Sequence, residues 1–125
     1  MPRFEPAEVR GGPLVRGFSE GQFVVDEARY RSVLLTPERA TAWDAPAIGD
    51  LALEHLETVL ALDPAPEFVL LGTGPTLIHP PRPLVRALAE RGIGIEAMDS
   101  RAAARTWAVL RAEERWIAAA LMPLP

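Results

Sequence analysis

Phe68-Val69-Leu70-Leu71-Gly72-Thr73-Gly74-Pro75-Thr76 is the stretch that decides the fold. Four apolar residues in a row, ended by glycine, suit a strand covered on both faces, since a strand with one wet face alternates apolar and polar residues. Downstream, Pro83 fits the first turn of a helix, Leu84, Val85 and Leu88 share one face of it, and Gly92 stands just past its end. Ile93, Ile95 and Ala97 then alternate as a second strand. Asp99 or Ser100 can accept hydrogen bonds from the free N–H groups of a third helix, whose Ala103, Thr106, Trp107 and Leu110 share a face and which should end near Arg111. Residues 115–122 close the region, and their small alanines suit close helix packing on both faces.

Upstream of this unit, Ile48, Leu51, Ala52, Leu56, Val59 and Leu60 recur at three- and four-residue steps and predict an amphipathic helix of about 14 residues, stopped by Asp63-Pro64. Earlier still, turn signals at Ser19-Glu20-Gly21 and Asp26-Glu27-Ala28 divide three short antiparallel strands over residues 14–18, 22–25 and 30–36. Thr36-Pro37-Glu38-Arg39 ends the third, because proline interrupts a ladder, and residues 41–43 could add a further short strand. Residues 1–13 are rich in proline, glycine and charge and read as a flexible N-terminal arm, with 14–125 as a single α/β domain. An antiparallel meander followed by strand–helix–strand–helix–strand predicts helices on both faces of a mixed, mostly parallel sheet.

Composition narrows the chemistry. A chain of 125 residues with 49% hydrophobic content can build one core without a disulfide or metal. The absence of cysteine excludes disulfides, thiolate nucleophiles, iron–sulfur clusters and cysteine zinc sites. Against 17 acidic residues stand 13 basic ones, a net charge of −4, which argues against nucleic acid as a partner. Every basic residue is arginine, so Schiff-base chemistry and a P-loop lysine are unavailable. No run approaches the ~20 apolar residues of a membrane span, and the Pro- and Glu-bearing start lacks a signal pattern, so a soluble cytoplasmic protein is expected.

The candidate site follows from the fold, because open α/β sheets bind ligands outside the carboxyl ends of their strands. There Gly72, Thr73 and Gly74 meet Asp99 and Ser100, and Arg82 and Arg101 stand near helix starts, within reach of an anion. The same residues also read as a structural turn, since the third glycine of a dinucleotide fingerprint is missing and Asp99 serves equally as a helix cap. His55 sits in the apolar face of its helix and His79 in an exposed Pro-rich turn, so the two are not a metal pair. Ser19, Ser32 and Ser100 lack a Gly-x-Ser-x-Gly elbow, and Glu113-Glu114-Arg115 reads as a solvated charged turn. Trp107 and Trp116 read as core residues, with a partner-anchoring role as the alternative. No catalytic residue, metal ligand or cofactor is assigned.

The runs 68–74, 92–100 and 103–107, and Glu113-Glu114-Arg115 on to Leu121, resemble a family of small uncharacterised proteins. It includes the mitochondrial NADH:ubiquinone oxidoreductase (complex I) assembly factor 3 and the adipogenesis-associated single-domain proteins. The resemblance implies a three-layer fold with a central mixed sheet and an added N-terminal antiparallel β layer, in which the last strand runs antiparallel to its neighbours. It also implies weight on Gly72, Thr73, Gly74, Glu96, Met98, Ala103, Thr106, Glu113 and Arg115. This chain departs from the pattern at Trp107-Ala108, where an aromatic followed by asparagine is usual, and at Glu114, where glycine is usual. The expectation is a non-catalytic interaction module whose protein partner is a respiratory complex or its assembly machinery. An anion- or small-molecule-binding protein or enzyme built on the Gly72–Gly74 edge is the alternative, and a homo-oligomeric structural subunit is the third possibility.

Overall fold

The structure, a computed structural model, describes residues 12–124. Strands β1 (Val15–Ser19), β2 (Gln22–Val25) and β3 (Ala28–Tyr30) form an antiparallel meander. A second sheet holds β4 (Val33–Leu35), β5 (Ala40–Ala42), β6 (Phe68–Gly72), β7 (Gly94–Met98) and β8 (Ala118–Leu121) in the order β5-β4-β8-β6-β7. Helix α1 (Glu57–Leu60) precedes β6, α2 (Arg82–Glu90) joins β6 to β7, and α3 (Ser100–Ala112) joins β7 to β8.

Connection chirality explains the layering. The step from β6 to β7 moves one way across the sheet, and the step from β7 to β8 moves back over β6. Right-handed crossovers in opposite directions place their helices on opposite faces. Accordingly α2 contributes Leu84 and Leu88 to one core with Val69, Leu71, Ala118 and Ala120. On the other face Ala103, Ala104 and Trp107 of α3 pack with Leu70, Ala119 and Leu121, and there Phe23 and Val25 bring in the meander as a further layer.

Three expectations are corrected. The sheet is evenly mixed instead of mostly parallel: β8 is parallel to β6 but antiparallel to β4, so the last strand opposes only one neighbour. The reason is that β4 and β5 are a hairpin entering from the meander, while β6, β7 and β8 are linked by helical crossovers that keep them parallel. The single strand over 30–36 is two strands in two sheets. Its break falls at Ser32, whose hydroxyl donates to the Trp43 carbonyl while Trp43 N–H returns a bond to Ser32 O, tying the chain to the β4–β5 hairpin.

The third correction concerns the helix expected over 48–60, which is two 3₁₀ turns, Ile48–Asp50 and Leu53–Leu56, followed by the one-turn α1. Ala52 lies extended between the turns, and His55 Nδ1 accepts its N–H at 2.9 Å. Leu51, Leu56 and Val59 are nevertheless buried, so the apolar spacing reported burial without reporting a continuous helix. Residues 1–11 of the expected arm lie outside the described residues, but Pro13 is buried and its carbonyl accepts the Trp107 indole N–H at 2.8 Å.

Every residue of β8 is buried, with Ala119 facing α3 and Ala118 and Ala120 facing α2. A larger side chain at these positions forces neighbours off their rotamers. We expect Ala119→Leu to lose about 1–3 kcal/mol in urea unfolding, whereas the same change at exposed Ala112 stays within about 0.5 kcal/mol.

Candidate functional site

At the carboxyl ends of β6 and β7 the structure brings Gly72, Thr73, Gly74, Asp99 and Ser100 together. Gly72 is glycine because the start of α3 lies against it: a Cβ there would stand 2.8 Å from Ser100 Oγ and 2.9 Å from Ser100 Cα. Gly74 takes φ +98°, a conformation that side-chain-bearing residues avoid.

The polar groups at this edge bond to one another. Gly74 N–H donates to Ser100 Oγ at 2.8 Å, and the Ser100 hydroxyl donates to Met122 O at 2.8 Å. Thr73 N–H donates to Met98 O, its hydroxyl to Thr76 O at 2.6 Å, and its Oγ1 accepts Ile78 N–H at 3.1 Å. Asp99 caps α3 by accepting Ala102 N–H at 2.8 Å. The N–H groups of Thr73 and Gly74 therefore point at the protein's own oxygens. The arginines stand apart from this knot: Arg101 lies over the Phe18 ring, 5.3 Å from its centroid. Arg82 is exposed in the first turn of α2 and has no hydrogen bond or ion pair among the described residues.

A concavity opens elsewhere. Because α3 packs chiefly on β6 and β8, it covers the β7 side of its own face only in part. The parallel register sets Phe68 beside Gly94, Leu70 beside Glu96 and Gly72 beside Met98, and the two-residue period points these side chains to that face. The resulting cleft, of about 500 Å³, is floored by Phe68, Leu70 and Met98 and walled by Thr106 and Leu110. Thr106 Oγ1 lies 3.4 Å from Met98 Sδ. Of the residues on which the resemblance placed weight, Glu96, Met98, Thr106 and Arg115 all line it.

One end of the cleft is charged and internally balanced. Arg115 grips Glu67 through Nη2–Oε1 at 2.8 Å and Nε–Oε1 at 3.2 Å, and its guanidinium lies 5.8 Å from the centre of the Phe68 ring. Hydrogen bonding to Arg115, assisted by the opposite charge, holds the Glu67 carboxyl below its ordinary value; the same bond raises Arg115. Glu96, exposed at mid-strand, has no ion pair or hydrogen bond to its carboxylate among the described residues.

Sequence reasoning passed over Glu67 and the cleft as a unit. The available signal was the even-numbered face of 68–72 and 94–98, which the short α3 cannot cover in full. His55 serves as a turn-capping acceptor and His79 is exposed. Glu114 occupies φ +61° at the end of α3, where Glu114 N–H reaches Arg111 O and Arg115 N–H reaches Leu110 O. That pair of bonds is the helix stop that normally selects glycine, which accounts for glycine being usual there. Trp107 is core, while Trp116 is half-buried and donates to Pro64 O at 2.6 Å.

Removing the Ser100 hydroxyl leaves Gly74 N–H and Met122 O without their bonds in a buried place. Ser100→Ala should cost about 2 kcal/mol or more in equilibrium unfolding and speed exchange of the Gly74 amide. Because the folded Glu67 carboxyl is held low, its contribution to stability is full above the ordinary carboxylate range and is lost as pH falls through the depressed value. Melting curves of wild type and Glu67→Gln should therefore separate at neutral pH, with wild type higher, and converge in acid.

A family model described as "Protein of unknown function (DUF498/DUF598)" matches residues 15–122. A Bos taurus protein named NADH dehydrogenase (ubiquinone) 1 alpha subcomplex assembly factor 3 is 31% identical over 120 residues, covering 93% of this chain and 65% of that protein. Its Danio rerio namesake is 28% identical over 119 residues, covering 94% and 68%. The chain thus spans about two thirds of the length of these two relatives. A crystal structure of a Bordetella parapertussis protein superposes with a TM-score of 0.80 at 33% identity, covering 89% of this chain and 95% of that one. The same mixed sheet and a family match running from β1 to just beyond β8 lead to one assignment: the chain belongs to the family described as Protein of unknown function (DUF498/DUF598), whose members include proteins named as assembly factors of NADH dehydrogenase.

Proposed function

We propose that this protein is a non-catalytic interaction module that assists the assembly of a respiratory complex of the NADH dehydrogenase type. The observation that carries the reading is the 31% identity to a protein named as such an assembly factor, over 93% of this chain. The site geometry supports it. At the strand ends, the Thr73 and Ser100 hydroxyls and the Thr73 and Gly74 N–H groups are engaged in holding backbone together, which favours a structural role there over anion capture. Apolar surface is presented instead by the cleft beside β7 and by Leu77 and Ile78, exposed by 52% and 43% in the loop before α2. Exposed apolar surface of this kind suits protein contacts. Among the described residues no helix is long and apolar enough to cross a membrane, and a cytoplasmic location forms part of the same proposal.

The test is affinity capture from extract of the source organism with the tagged full chain as bait. Subunits of a respiratory complex, or proteins that assemble one, should be recovered above a tag-only control. Their consistent absence, at a depth that recovers weak complexes, would sink the reading.

A further inference from the structure

Among the described residues β7 is the last strand of its sheet and has a neighbour on one side only. Gly94 N–H bonds to Glu67 O, and Met98 O accepts Thr73 N–H. Ladder bonds in a parallel pair recur at every second residue, so Gly94, Glu96 and Met98 bond toward β6 while the N–H and C=O of Ile95 and Ala97 face outward. The pairing is continuous over five residues, without a bulge or proline to blunt the edge. A free edge of this kind is a template for another extended chain.

The side chains specify which chain. A second copy pairing antiparallel about the centre of β7 must match Ile95 with Ala97, which puts Glu96 opposite Glu96 at a Cα separation of about 4.5 Å. Like charges directly opposite oppose that pairing, and no cation of this protein neutralises Glu96 among the described residues. A guest carrying arginine or lysine at that position is favoured by the same geometry. Two residues to either side, guest side chains fall on the cleft face: one over Met98 and Leu110, the other opposite Gly94, where the missing side chain leaves room for a bulky group against Phe68.

We propose that β7 is a docking edge for an extended peptide segment of pattern apolar–x–basic–x–apolar, added as a further strand with its basic residue opposite Glu96. This rests on the interaction-module reading and supplies its site and the chemistry of its partner.

The probe is a phage-displayed library of random 12-residue peptides panned on the full chain, with enriched peptides resynthesised for fluorescence anisotropy. The pattern should be enriched, and Glu96→Arg should move the preference at its centre to aspartate or glutamate. Ala97→Pro removes an outward N–H that no strand among the described residues uses, and it should weaken the enriched peptide at least tenfold while the variant melts as a folded protein. Should that variant fail to fold, hydrogen exchange on wild type decides, because the Ile95 and Ala97 amides should exchange fast alone and slow on peptide addition. No enrichment over bare support, a centre indifferent to Glu96→Arg, or unprotected Ile95 and Ala97 amides would each overturn the proposal. Capture of respiratory proteins by folded Ala97→Pro bait as efficiently as by wild type would leave the assembly reading standing and remove β7 as its site.

Discussion

Ala118–Leu121 has to fit between two strands and beneath two layers at once, and the rest of the molecule conforms to that constraint. Parallel to β6 and antiparallel to β4, β8 joins a hairpin unit to a crossover unit that share no other strand pairing. Three consecutive alanines let α3 approach one face while α2 and the 48–60 segment close on the other. Ser100 then fastens the end of this joint, taking the Gly74 N–H from the β6 side and giving its own proton to Met122 just past β8. One hydroxyl thereby secures the start of α3 and two strand ends.

That fastening also determines where the molecule can meet others. At the carboxyl ends of the strands, where α/β sheets commonly hold ligands, the polar groups are turned inward on each other. At the β7 edge the opposite holds: among the described residues Ile95 and Ala97 present unpaired backbone, and a cleft lies alongside because a helix centred on β6 and β8 extends only partly over β7. The edge and its flank have a shape that matches extended protein segments better than small anions.

Local chemistry made much of this legible. The apolar run ending at Gly72, the proline at the start of α2 and the Asp99 cap mark their elements in the sequence because each depends on neighbours only a few residues away. The break at Ser32 was hidden because it depends on Trp43, and the 3₁₀ turns were hidden because their apolar spacing is also that of a helix. The direction of β8 depends on the order of strands in space. Glu67 escaped notice for the same reason: its partner Arg115 lies 48 positions away and meets it only once β6 and the end of α3 are aligned. Within the candidate site, Gly72, Gly74 and Ser100 were correctly brought to one place by topology, but whether their N–H groups face outward or inward is a matter of side-chain rotamer and loop path.

The order of strands in space carries a consequence in time. β8 follows every other strand along the chain yet sits in the middle of its sheet. As the polypeptide leaves the ribosome, the β4–β5 hairpin and the β6–α2–β7 unit are made first, each with an apolar flank awaiting the same late strand. Pairings between residues far apart in sequence form slowly, because the intervening chain must be brought to order first. The chain therefore holds two unfinished edges until β8 arrives, and its sheet becomes continuous only in a closing step that inserts four residues between them.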